Sequence, residues 1–262
     1  MHYVISGGIG DFLQCLPHFF LDSNSYNKYV VVTHFKEAKL FFEKIGKAVE
    51  TIEYYTNNEE LGAILRAVAK LESVAFCPRT QYFASNPFAK RDSIFNNNLR
   101  VIGVHLNGST YAESANEEAK LPSKNLPLLL IDVLCQYECN IAIFCSQSEI
   151  KLMKIEESQF VKVISRPEII DSLSEVSICD VFIGCDSAFK TMSSMLKTPT
   201  LVWLPSYDDM FRDNIFIDPY VRDGIMSIAN FSSLETAAVN KAVNKTKDFL
   251  KNHQFTLRFS FT

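Results

Sequence analysis

Two polar turns in the sequence have residue types suited to ligand chemistry. The first is the turn 184–187 (GCDS), which follows the apolar run 181–183 and precedes a helical pattern over 188–196. Free backbone N–H groups and a partial positive charge collect at a helix N-terminus, so this turn suits an anion such as a phosphate. Asp186 and Ser187 are also common N-cap types, so an ordinary strand-to-helix connection is the simpler interpretation of the turn taken alone.

The second turn, 7–11 (GGIGD), lies between a strand-like and a helical segment near the N-terminus. Its three glycines allow the backbone to approach a ligand closely and to adopt positive φ. The spacing does not match the dinucleotide motif GxGxxG, so this signal of a nucleotide site is weak. Asp11 would stand at the helix start, where its charge is favourable. From the residues alone, a helix cap is the simpler interpretation of Asp11.

Alternating strand and helix patterns must position these turns, and they predict parallel sheets with helical crossovers. In such sheets, ligands bind at the carboxyl ends of the strands. Pro17 falls inside the first helix and should kink or break it. Strands are predicted at 3–5, 29–33, 49–55, 73–77, 101–106, 140–144, 160–164, 181–183 and 201–203, and helices at 12–23, 35–46, 59–71, 126–137, 148–157, 169–176, 188–196 and 234–250.

Composition limits the class of protein. The chain has 262 residues, 47% of them hydrophobic, which is enough for two modest α/β domains or one large one. A formal net charge of -4 gives no electrostatic footprint for nucleic acid, although a local basic groove could be hidden. No apolar stretch is long enough to span a bilayer, and the N-terminus shows no secretory signal. The segment 78–100 has no clear period and is predicted to be a linker or a substrate loop.

The cysteines indicate the redox environment. There are seven, scattered through mostly apolar runs, without a CxxC pair or a metal-binding spacing. Cys135 and Cys139 lie four residues apart in bulky apolar surroundings, so both are predicted to be buried thiols. An odd number of embedded cysteines favours a reducing cytoplasm over a disulfide scaffold. We therefore expect a cytoplasmic protein, with association at a membrane surface left open.

Three stretches, in this order, resemble glycosyltransferases of the lipopolysaccharide heptosyltransferase family (glycosyltransferase family 9). They are GGIGDFLQCLP at 7–17, VIGVHLNGS…KLPSKNLPLLLIDVL within 101–134, and SLSEVSICDVFIGCDSAFKTMSSMLKTPTLVWL at 172–204. The third is the most specific, because the family has an Asp and a hydroxyl residue after the strand, then a helix and a Pro-containing loop. The resemblance implies a GT-B fold of two facing Rossmann-like domains with parallel sheets, the first shortened. The domains are predicted at 1–98, on the acceptor side, and at 99–262, for the nucleotide-sugar.

The resemblance implies an inverting glycosyltransferase that needs no metal or other cofactor and takes a nucleotide-sugar donor as substrate. Asp11 matches the general base that deprotonates the acceptor hydroxyl. A carboxylate is suited to act as a general base when its pKa is raised toward the operating pH. A helix N-terminus opposes such a rise, so burial or a second acid nearby would have to supply it. Lys120 is favoured over Lys124 as the lysine at the donor phosphates. The residues predicted to bind the donor are Gly8, Gly10, Ser109, Thr110, Lys120, Glu149, Asp186, Ser187, Ala188, Lys190 and Thr191.

Two positions depart from the family pattern. Ala188 stands where the family has Gly, and Thr191 stands where it has His. Thr191 cannot carry the proton or charge that His would give. Lys190 is adjacent and offers a positive charge, but from a different helical angle. These departures leave the acceptor open and, to a lesser degree, the sugar of the donor.

Alternative functions follow from the same departures. The chain could be a non-catalytic nucleotide-sugar-binding protein that kept the fold and lost the chemistry. It could also be a glycosyltransferase that acts on modified DNA or protein instead of a glycan or lipid core, or an enzyme with another GT-B activity such as sugar-nucleotide epimerisation. The nucleotide base, the sugar, the acceptor and the oligomeric state stay open.

Overall fold

A computed structural model describes residues 1–46, 48–84, 94–106, 126–145, 155–205, 219–231 and 236–258 of the chain. The chain divides into two compact units, Met1–Ser85 and Asn86–Thr262. Each unit contains a parallel β-sheet joined by helices. The domain boundary expected between residues 98 and 99 stays a prediction.

The first unit is built on a four-stranded parallel sheet in the order β3-β2-β1-β4. Its strands are short, and only β2 is buried along nearly all of its length. In chain order its elements are β1 His2–Ser6, α1 Ile9–Leu21, β2 Lys28–Thr33, α2 Ala38–Lys44, β3 Thr51–Tyr54, α3 Asn58–Val68 and β4 Val74–Phe76.

The second unit is built on a six-stranded parallel sheet in the order β10-β9-β8-β5-β6-β7. Strands β5, β6 and β8 are buried at every residue, as expected for strands covered on both faces. Its elements are β5 Val101–His105, α4 Leu126–Leu134, β6 Asn140–Phe144, β7 Val161–Ile164, α5 Ile169–Ser174, a 3-10 turn at Glu175–Ile178, β8 Val181–Cys185, α6 Ala188–Met195, β9 Thr200–Pro205, α7 Pro219–Arg222, β10 Met226–Phe231 and α8 Thr236–Asn252.

Each sheet has one point where the order of its strands reverses. In the first unit the chain runs outward from β1 through β2 and β3, then crosses back to place β4 on the other side of β1. In the second unit it runs from β5 through β6 and β7, then crosses back to place β8 beside β5. Ligands of open α/β sheets bind outside the carboxyl ends of the strands at such switch points. The turn after β1 and the turn after β8 each lie at one of them.

Helix α1 passes through Pro17 without ending, so the predicted break is absent. Pro17 has no N–H to donate to Leu13 O, and the helix loses that one hydrogen bond. The helix persists because its apolar face is fixed against the core. The buried residues of that face are Phe12, Leu13, Cys15, Leu16 and Phe19.

Two other sequence expectations need correction. Strand β10 was not predicted, and it pairs in parallel with β9 at the edge of the second sheet. Cys135 is exposed because α4 ends at Leu134 and the cysteine belongs to the turn that follows, whereas Cys139 is buried as expected. All seven cysteines lie among the described residues, and none of them forms a disulfide bond. In the described ranges, no helix is long and apolar enough to cross a membrane.

Candidate active site

The turn after β8 carries an acid and a base side by side. Ser187 is the N-cap of α6, and its Oγ accepts a hydrogen bond from the backbone N–H of Lys190 at 3.3 Å. The Lys190 Nζ lies 2.8 Å from Asp186 Oδ1, and the Asp186 side chain is 50% exposed. The open end of the helix therefore presents backbone N–H groups with an adjacent ammonium, an arrangement that favours an anion.

Lys190 reaches this turn although its helical angle suggested otherwise. Helical side chains tilt toward the N-terminus of their helix, so a long side chain in the first turn can fold back over the helix start. The Lys190 side chain is only 11% exposed, and its ammonium lies against Asp186 of the turn. Thr191, at the position of the family's histidine, is 6% exposed and its hydroxyl donates to Ser187 O at 3.3 Å. Lys190 therefore supplies positive charge at a place where Thr191 supplies none.

The carboxyl ends of β5 and β8 meet closely beneath this turn. Gly184 lies opposite His105 in the parallel ladder, and a Cβ on Gly184 would lie 2.4 Å from His105 O. The His105 ring is 6% exposed, 4.6 Å from the Phe189 ring, and its Nδ1 lies 3.8 Å from Cys185 Sγ. His105 is thus a packed residue under the turn.

In the first unit, the glycine turn fixes the direction of Asp11. Gly7 has φ +117°, a conformation that favours glycine, and a Cβ there would lie 2.1 Å from Asp11 Oδ2. Gly8 is the N-cap of α1, and its N–H donates to that same oxygen at 2.9 Å. Gly10 is the second residue of the helix. The missing side chain of Gly7 therefore leaves the space that the Asp11 carboxylate occupies.

Arg79 is the site residue that the sequence reasoning missed. Its Nη1 lies 2.7 Å from Asp11 Oδ1, and its Nη2 donates to Ser6 O at 3.1 Å. The Asp11 side chain is 34% exposed, and its charged partner among the described residues is the cation Arg79. The available signal was the position of Arg79 two residues after the predicted strand 73–77, near the carboxyl edge of the sheet.

Two buried thiols lie behind the Asp11–Arg79 pair. Cys15 is one helical turn after Asp11, and its Sγ lies 3.9 Å from Cys77 O. A hydrogen bond from Cys77 lowers the pKa of the Cys15 thiol against the opposing effect of burial, and the charge of Arg79 acts in the same direction as that bond. The same contact and burial raise the pKa of Cys77. Cys15 and Cys77 are therefore packed closely beside the Asp11–Arg79 pair.

The structure brings together some of the residues predicted to bind the donor, and others are not among the residues that it describes. Asp186, Ser187, Ala188, Lys190 and Thr191 are neighbours around the start of α6. In the described part of the chain, no group of three or more His, Cys, Asp or Glu side chains could hold a metal ion. Ser109, Thr110, Lys120, Lys124 and Glu149 lie outside the described residues.

No protein-family model matches the chain, and no curated protein does. Solved structures do match it over nearly its whole length. E. coli ADP-heptose lipopolysaccharide heptosyltransferase II aligns with a TM-score of 0.55 and 11% identity, covering 97% of this chain and 100% of that chain. E. coli heptosyltransferase WaaC with ADP aligns with a TM-score of 0.54 and 12% identity, covering 96% and 98%. E. coli WaaC with ADP-2-deoxy-2-fluoro heptose aligns with a TM-score of 0.57 and 12% identity, covering 96% of this chain and 99% of that chain.

These likenesses establish the fold. The chain is an α/β protein with two parallel sheets, like the heptosyltransferases to which it is similar. The GT-B-like fold expected from the sequence is therefore confirmed. An identity of 11–12% leaves the activity to be argued from the residues of the two turns.

Proposed function

We propose that the protein is an inverting glycosyltransferase that transfers a sugar from a nucleotide-sugar donor to an acceptor hydroxyl without a metal. The observation that carries this proposal is the turn at the β5/β8 switch point, where Lys190 and Asp186 flank the start of α6. The solved neighbours include a heptosyltransferase with ADP and with an ADP-heptose analogue, which supports a nucleotide diphosphate as the ligand.

The second unit would hold the donor. The diphosphate would accept hydrogen bonds from the first N–H groups of α6, and Lys190 would balance its charge as it leaves. Asp186 Oδ1 lies 2.8 Å from Lys190 Nζ, so this carboxylate keeps the ammonium at the turn while no phosphate is bound. Ser109, Thr110, Lys120 and Glu149 remain proposed partners of the donor through their resemblance to family positions.

The first unit would supply the base. The acceptor oxygen forms a bond to the anomeric carbon, and the bond from that carbon to the diphosphate oxygen breaks. The acceptor proton passes to Asp11, and the nucleoside diphosphate leaves with the electron pair. Attack on the face opposite the leaving group inverts the anomeric carbon. The nucleotide base, the sugar and the acceptor class stay open in this proposal.

The test compares wild type with Asp11→Asn. We expect release of ADP from ADP-heptose, with water or an added acceptor, to fall about 100- to 10,000-fold, the usual contribution of a positioned base. The affinity for ADP should change little, because Asp11 belongs to the other unit. Asp248→Asn on the exposed side of α8 is the matched control and should behave as wild type. Equal turnover by Asp11→Asn would exclude Asp11 as the base.

A further inference from the structure

The segment after β4 is fastened on both sides of Arg79. Before it, the Cys77 N–H donates to Val4 O at 2.8 Å, which continues the pairing of β4 with β1. After it, the Thr80 N–H donates to Gln14 O at 2.8 Å, which ties the segment to α1. The backbone of Arg79 is therefore held against both elements that carry the glycine turn.

The guanidinium group bridges the same two elements. One of its nitrogens pairs with Asp11 Oδ1 at 2.7 Å, and the other donates to Ser6 O, the last residue of β1, at 3.1 Å. The second oxygen of Asp11 accepts from the Gly8 N–H at 2.9 Å. Each oxygen of the carboxylate thus has its own anchor, and the two anchors come from different segments of the chain.

We propose that Arg79 is a positioning residue, which holds the Asp11 carboxylate in the orientation that the transfer reaction requires. This inference rests on the proposed function. Side chains that are 48% and 34% exposed form a pair that contributes little to stability, so folding alone is a weak reason for it. Orientation is the stronger reason, because the Gly8 N–H alone would leave the carboxylate free to turn about that one contact.

A guanidinium group suits this task better than an ammonium. Its planar, fixed donors can serve Asp11 and Ser6 O at once, whereas a lysine offers a point charge on a flexible stem. A displacement of a catalytic group by about 1 Å can cost about 100-fold in rate. Loss of Arg79 should therefore lower the rate of the chemical step and leave donor binding unchanged.

The experiment measures ADP release from ADP-heptose by Arg79→Ala, Arg79→Lys and, as matched control, Arg66→Ala. Arg66 is an exposed arginine at the end of α3 in the same unit. We expect Arg79→Ala to lower kcat about 10- to 100-fold with donor KM within about 2-fold of wild type. The kcat of Arg79→Lys should lie between those of wild type and Arg79→Ala. Guanidinium ion, added well below denaturing concentrations, should restore part of the kcat of Arg79→Ala and leave Arg66→Ala unchanged.

A double variant distinguishes positioning from a general structural role. Because Arg79 acts through Asp11, adding Arg79→Ala to Asp11→Asn should cost no further activity. Wild-type kcat in Arg79→Ala, or a loss without guanidinium rescue that adds to the loss in Asp11→Asn, would overturn the inference while the proposed function stands. If the wild-type protein itself releases no nucleotide from any donor, the proposed function fails, and the role of Arg79 falls with it.

Discussion

Asp11 occupies space that exists only because Gly7 has no side chain. A Cβ on Gly7 would lie 2.1 Å from Asp11 Oδ2, and its φ of +117° strains any other residue. We expect Gly7→Ala to lower the free energy of unfolding by about 1–3 kcal/mol, from the strained backbone. It should also remove most transfer activity, because the carboxylate must move. Chemical denaturation and ADP release from ADP-heptose measure the two effects.

Gly46 provides the matched control for this prediction. It also has a positive φ, +74°, but no atom lies within 4 Å of the position that its Cβ would take. Gly46→Ala should therefore show a similar backbone penalty and keep its activity. Full activity in Gly7→Ala would show that the orientation of Asp11 is unimportant for the reaction.

Lys190 is the residue on which the proposed donor site depends most for charge. Its ammonium is nearly buried at the start of α6, where a bound diphosphate would replace Asp186 as its partner. Hydrogen bonds to charged groups are stronger than neutral ones. We expect Lys190→Met to weaken ADP binding about 10- to 100-fold and Lys190→Arg to retain most of it, as measured by isothermal titration calorimetry.

Lys245→Met on the exposed face of α8 is the control for the lost charge. An equal loss of affinity in that variant would mean that the net charge of the protein, and not the position of Lys190, governs binding. Unchanged affinity in Lys190→Met would remove Lys190 from the donor site.

At the level of elements, the end of α1 is secured by an acid-sensitive contact. Asp22 is the C-cap of α1 and accepts hydrogen bonds from Tyr29 Oη and from the Asn27 side chain. The bond from Tyr29, followed by that from Asn27, lowers the pKa of Asp22 to about 2. Burial, followed by the Asp22 contact, raises the pKa of Tyr29. The pair therefore links the turn after α1 to β2.

This contact should make part of the stability depend on pH. The pKa of an aspartate in an unfolded chain is about 3.9. A lowered folded-state pKa adds stability that is complete above pH 4 and disappears as the pH falls from about 4 to about 2. The difference in unfolding free energy between wild type and Tyr29→Phe should shrink over that window in urea titrations. Tyr54→Phe, exposed on β3, is the control, and a constant difference from pH 7 to pH 2 would contradict this account.

Most elements could be predicted because their patterns are local. The apolar run 181–183, for example, follows Asp180 and becomes part of a strand that is buried at every position. The edge strand β10 lacks such a run, since Met226–Phe231 contains one β-branched residue among small and polar ones. Its strand character comes from pairing with β9, which the sequence does not show.

The candidate site residues also differ in whether a local sequence pattern or a long-range contact indicates them. Asp11, Asp186 and Ser187 could be proposed from the sequence because each belongs to a turn that follows a strand pattern and contains glycine. The pairing of Arg79 with Asp11 could not, because only the order of strands places the end of β4 beside the start of α1. The role of Lys190 depended on the path of a long side chain, which helical spacing alone does not specify.

At the scale of the molecule, the described part of each unit presents a polar turn at the switch point of its own parallel sheet. The turn of the first unit holds a carboxylate, and the turn of the second holds a helix N-terminus with an ammonium. Transfer from a nucleotide-sugar needs both functions, a base for the acceptor and an anion site for the leaving group. The proposed function assigns the base to the first unit and the anion site to the second.

The most direct test of this account is a thermal-shift screen against ADP-, UDP-, GDP- and CMP-sugars without added metal. A ligand that binds only the native state raises stability, by about 2.7 kcal/mol at 100 times its Kd. We predict a shift of several degrees with one nucleotide class, which is reduced in Lys190→Met. No shift with any of the four at millimolar concentrations would contradict the proposed donor site, and with it the assignment as a glycosyltransferase.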